Sequence, residues 1–174
     1  MNIFYLDNDP TLAAQAQCDK HVVKMILESA QLLCTTHHYF DSDPRPETHK
    51  HIKFYKKTHV NHPCSIWTRK SLANYNWLAQ HALALCSEYT YRYNKQHKSY
   101  DIIVLCSLFY PTDIDVNMWL TEPALAMPDE YKSEDPVESY RRYYKECKRN
   151  TIQMRWTKRE PPKWWNTNEK AIVA

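Results

Sequence analysis

The sequence predicts a mostly α-helical fold, a single compact helical domain over residues 1–174 with long irregular loops, and three observations carry that expectation. Apolar residues recur at helical spacing over several stretches. Glycine is absent from all 174 residues, so turns fall to Asn, Asp and Pro, which suits helices joined by loops rather than tight hairpins. The ten prolines stand at the starts of the periodic stretches or between them.

Taken in order, Asn2 to Leu6 is a short apolar run expected to lie extended against the body. Asp9-Pro10 is a capping residue followed by a first-turn proline, opening a short helix to about Gln17. A long helix follows over Asp19–Leu33, with Asp19 the expected N-cap. It gathers Val22, Val23, Ile26, Ala30 and Leu33 on one side, while His21, Lys24 and Glu28 fall within about 60° of one another opposite. Met25 and Leu32 border that second side, so the helix is expected to be buried on two sides, where such polar groups must be paired or used. A solvated Lys24–Glu28 pair would contribute only a few tenths of a kcal/mol.

Residues 37–62 read as a polar, His-rich loop, with Pro44 and Pro46 barring regular structure. One helix is expected from His62-Pro63 to about Tyr93, and another over Ile102–Tyr110, where a buried strand is the alternative. Residues 111–137 are irregular, and Asp135-Pro136 opens a last helix through Lys148.

Charge is distributed unevenly. Residues 141–170 carry ten Lys/Arg against three Glu, a net of +7, leaving −4 on the remaining 144 residues. Here cations interleave with rings: Arg141, Arg142, Tyr143, Arg155, Lys158, Arg159, Trp164 and Trp165, with Lys24 added from the long helix, suit phosphates and bases of nucleic acid. The competing expectation is that Trp156, Trp164 and Trp165 pack into the core. No apolar run reaches the roughly 18 residues of a membrane span, and no leader pattern opens the chain, which predicts a cytoplasmic protein without membrane attachment; a monomer is expected.

Other chemistries are weaker. The six cysteines lack a disulfide framework and read as reduced thiols of the core. His59, His62 and Cys64, with Cys18 and His21, could gather round zinc, but the spacing matches no standard site, so neither metal nor cofactor is expected. Without glycine there is no nucleophile elbow and no dinucleotide fingerprint.

Asp19-Lys20-His21 with Glu28 seven positions beyond the His resembles the long-helix start of the pyrimidine-dimer DNA glycosylase/AP lyases of the endonuclease V type. Lys163-Trp164-Trp165 and Lys170-Ala171-Ile172-Val173-Ala174 are similar to that family's C-terminus. The resemblance implies an endonuclease V-like helical fold and removal of a damaged or modified base from DNA. It makes Glu28 and His21 catalytic, with the terminal amine of Met1 or Asn2 as the nucleophile of a lyase. An α-amine, with a reference pKa near 8, is partly neutral at cellular pH and can form an imine. Position 2 is Asn, a large residue to follow a removable methionine, and Leu27 stands where the family has arginine. Glu28 activating a water instead is the monofunctional alternative. A non-catalytic nucleic-acid-binding accessory protein, zinc-stabilised or not, and a hydrolase of free nucleosides or nucleotides are the readings from other classes.

Overall fold

The computed structural model describes residues 1–166. Helices α1 (Pro10–Ala16), α2 (Asp19–Tyr39), α3 (Pro63–Lys70), α4 (Leu72–Tyr93), α5 (Tyr100–Leu108) and α6 (Pro136–Tyr143) are joined by turns and long loops. A π-turn (Tyr144–Lys148) leads into α7 (Arg149–Thr151), and α8 spans Lys163–Asn166. No strand occurs among the described residues. Helix α4 is the central element, packed on α1, α2, α3 and α5. It buries Tyr75, Leu78, Ala82 and Leu85 in one apolar cluster with Ile3, Leu6, Ile26 and Leu33.

Helix starts follow the sequence where a side chain can reach the first-turn amides. Asp9 accepts from Thr11 and Leu12, and Asp135 accepts from Val137 and Glu138, each ahead of a proline. At α2 the expected cap is corrected. Cys18 is the N-cap residue and Asp19 lies inside the first turn. The Cys18 amide donates to the Tyr144 hydroxyl and the Asp19 amide to the Arg155 carbonyl, so remote segments satisfy the helix end. The Asp19 carboxylate is thereby released to accept from Arg92 and Thr157.

Three further expectations are corrected. The helix from Pro63 to Tyr93 is broken at Ser71, whose hydroxyl caps α4 while the Leu72 and Ala73 amides donate to the Asp115 and Asn117 carbonyls. The final helix leaves α geometry at Tyr144 for the π-turn, which keeps Tyr144 buried; the wider turn re-aims side chains that α periodicity would place elsewhere. Val23, expected on the buried side of α2, is 40% exposed together with Leu27. The segment at Ile102–Tyr110, ambiguous between helix and strand, is largely helical, as α5.

With no glycine to take left-handed conformations, Phe4, Asp41, His59, Asn94 and Lys158 adopt positive φ. Asn94 ends α4 in this way. Phe4, at φ 44°, is more costly, by about 1–2 kcal/mol, and it interrupts the extended run expected over residues 2–6. The kink is held by the Phe4 amide donating to Asn2 Oδ1, and it lays the ring on His21, with centroids 4.3 Å apart.

Candidate active site

Helix α2 turns Glu28 toward the beginning of the chain. The Asn2 backbone nitrogen donates to Glu28 Oε2 at 2.8 Å, and the Met1 amine stands 3.6 Å from the same oxygen. Lys24, one turn earlier, places Nζ 3.3 Å from Oε1. The carboxyl side chain keeps 11% of its surface exposed and the lysine 67%, so Glu28 lies just beneath the surface, with a solvated cation beside it. Asn2 is anchored by Nδ2 donating to the Ala126 carbonyl and by Oδ1 accepting from Phe4. This fixes the backbone nitrogen relative to the carboxylate.

His21 is placed on the same helix but in a different environment. It is buried, stacked on Phe4, and its Nδ1 lies 2.8 Å from the Tyr144 hydroxyl. That hydroxyl already accepts the Cys18 amide, leaving its own hydrogen for Nδ1. Burial, with Lys148 and Lys24 nearby, pushes the imidazole pKa down to about 3, so the ring is neutral at pH 7 and cannot hold phosphate as a cation. An open cavity of about 470 Å³ adjoins it, lined by Lys20, Lys24 and Lys148 beside His21. Lys20 and Lys148 are members of this site that sequence reasoning did not single out.

His62 stands at a helix start, where its Nδ1 accepts the Cys64 amide as the cap of α3. The ring is near enough to the chain's amine and to Glu28 to feel both charges, and burial and the amine push its pKa down. Proximity to residue 1 is a tertiary fact that no local spacing signals.

In the basic and aromatic C-terminal segment the rings pack inward, as the competing expectation had it, and the cations are paired or exposed. Trp165 and Trp156 are buried against each other, with Trp156 Nε1 donating to the Ala16 carbonyl. Trp164 packs on the core, and Tyr143 is buried and stacked on Phe4. Arg141 is tied to Leu6 and Asp7, Arg159 forms a bidentate pair with Glu88, and Arg142 donates to the Glu130 carbonyl. Arg155 stays 70% exposed, 3.9 Å from Asp19, and Lys158 donates to Tyr91 and Asn94. The motif at residues 170–174 lies outside the described residues.

Among the described residues, no three of His, Cys, Asp and Glu form a group that could hold a metal ion. All six cysteines are free thiols, and five are buried. No described helix is long and apolar enough to cross a membrane.

No curated protein and no solved structure matches the chain. A family model described as pyrimidine dimer DNA glycosylase matches residues 1–101 of the 174. That span holds Met1, Asn2, His21, Lys24, Glu28 and His62, whereas the basic C-terminal segment falls outside it. With more than half of its length matched, the chain belongs to the pyrimidine dimer DNA glycosylase family.

Proposed function

We propose that the protein excises a damaged base from DNA and that the chain's α-amine is the nucleophile, with Glu28 as its proton partner. The observation that carries this reading is the 2.8 Å contact between the Asn2 nitrogen and Glu28 Oε2. Removal of Met1 would turn that backbone nitrogen into a primary amine already beside a carboxylate; retention of Met1 leaves an amine 3.6 Å from the same oxygen. The first geometry is within hydrogen-bond reach for proton transfer between amine and carboxylate; the second is an ion-pair distance just beyond it.

In this mechanism the amine lone pair attacks the sugar C1′. The N-glycosidic bond breaks, and its electrons leave with the base, which takes up a proton. The amine gives its protons up through Glu28, the sugar ring opens, and an imine joins the chain to C1′. Loss of the C2′ proton then expels the 3′ phosphate, completing the lyase step. Lys24, Lys20 and Lys148 supply charge for the flanking phosphates. His21, neutral and stacked on Phe4, acts as a positioning residue for the amino-terminal segment.

The family's description supports ultraviolet-irradiated duplex DNA as the first substrate to test. Glu28→Gln is expected to lower base release by at least about 100-fold with duplex affinity retained. Borohydride added during turnover should trap a covalent protein–DNA adduct, and peptide mass would identify Met1 or Asn2 as its attachment. Base release without any adduct would overturn the imine and leave Glu28 activating water.

A further inference from the structure

We propose that the segment Lys50–His59 is a second DNA-binding element, an arm that holds the phosphates of the duplex on the far side of Glu28 from Lys20 and Lys148. The proposal rests on the glycosylase reading and adds to it a surface that neither the basic C-terminal segment nor the family resemblance supplied.

The arm is cationic and open. Lys50, Lys53, Lys56 and Lys57 lie within eight residues that contain no acid, with His51 and His59 beside them. Lys53, Lys56 and Lys57 are exposed. Two nearby acids are already engaged: Asp43 is clamped by Arg45, and Glu47 pairs with Lys50 at 2.9 Å. Asp41 is exposed at the edge of the same region. Lys53 and Lys56 are themselves exposed, so their positive charge faces solvent, where a polyanion can release counterions from it.

The arm is also built rather than loose. Past the turn at His51 and Ile52 the backbone carries no helix from 53 to 59, yet it is fastened at several points. Arg45 donates to the Ile52 carbonyl and lies over the Phe54 ring. His38 Nε2 meets the Tyr55 carbonyl at 2.9 Å, the Tyr55 hydroxyl meets Ser99, and Thr35 Oγ1 both donates to and accepts from Thr58. Lys57 reaches the His38 carbonyl. Cations held on a fastened backbone lose little freedom on binding.

Its anchor points place it on the side of α2 that bears Lys20 and Lys24, with Glu28 at its edge. At 100° per residue, Lys20, Lys24, Gln31, Thr35 and His38 project within about 60° of one another, and Glu28 lies at the edge of that stripe. Thr35 is about 10 Å beyond Glu28 along the helix axis, and Lys20 about 12 Å before it. From Lys20 to His38 the axis runs about 27 Å, close to eight base-pair steps at about 3.4 Å each. The arm ends at His59, three residues before His62, which stands by the amine and Glu28. One duplex lying along this stripe would meet cations on both sides of the reacting sugar.

The test is fluorescence anisotropy with an undamaged duplex of about 20 base pairs over a salt series, comparing wild type with K53A/K56A and K53R/K56R. The alanine pair is expected to bind about tenfold or more weakly at low salt and to lower the slope of log Kd against log salt by about 2. The arginine pair should keep both the affinity and the slope. An unaltered slope in a folded alanine pair overturns the arm while leaving the glycosylase reading intact. A wild-type protein with no duplex affinity overturns both.

Discussion

The C-terminal segment from Arg141 to Trp165 and the arm from Lys50 to His59 are both rich in cations and rings, and, Lys148 and the exposed Arg155 apart, the fold uses them differently. In the first, Trp156 and Trp165 are core, Arg141 and Arg159 are matched to Asp7 and Glu88, and Tyr144 serves α2 and His21. In the second, Phe54 and Tyr55 fasten the backbone while Lys53 and Lys56 stand in solvent. Interleaved cations and rings therefore do not identify a nucleic-acid surface by themselves. What separates Arg141 and Arg159 from Lys53 and Lys56 is whether an acid or a carbonyl elsewhere in the fold has already taken the charge.

The largest effect that could break this contrast is in the C-terminal segment. Trp156→Ala removes a buried indole and its bond to Ala16, and should cost about 3–5 kcal/mol in urea unfolding. Duplex affinity of the folded fraction should hardly change. Unchanged stability with lost affinity would reverse the roles of the two regions.

Acid sharpens the contrast next. Burial pushes His21 down to about 3, and His37 and His81 down to about 4. The unfolded chain therefore binds protons that the folded chain refuses. Stability from these neutral rings is complete above about pH 6.5. It is lost as pH falls toward 4 for His37 and His81, and toward 3 for His21. At pH 5 the loss is about 2 kcal/mol per ring, measured as the fall in unfolding free energy between pH 7 and 5. His37 packs against Phe54, under the arm, and His21 against Phe4 and Tyr144, beside the lysine-lined cavity. A flat stability profile across that range would show that these rings admit protons without unfolding.

The smallest effect belongs to the arm. K53A/K56A should shift unfolding free energy by no more than about 0.5 kcal/mol, because both lysines are exposed and neither fastens the arm to the body. A larger loss would make the arm structural, like the C-terminal segment.

Helical periodicity, the Asp9-Pro10 and Asp135-Pro136 starts, and the row of His21, Lys24 and Glu28 on α2 are legible in the sequence because each depends on residues a few positions apart. The break at Ser71 is not, since amides freed there are satisfied by Asp115 and Asn117, more than forty residues away. The cap of α2 is hidden for the same reason: Tyr144 and Arg155 satisfy its first amides and release Asp19 to Arg92.

By itself the sequence determined a helical chain, an acid on a long helix, and a reservoir of cations and rings. Tertiary structure alone decided which of those charges remain available. Only packing brings the Asn2 nitrogen within 2.8 Å of Glu28, buries His21 as a neutral ring, and matches Arg159 to Glu88 while Lys53 stays in solvent. The physical reason is that burial and pairing are set by neighbours distant in sequence, and those neighbours fix whether a polar group is free to meet a substrate.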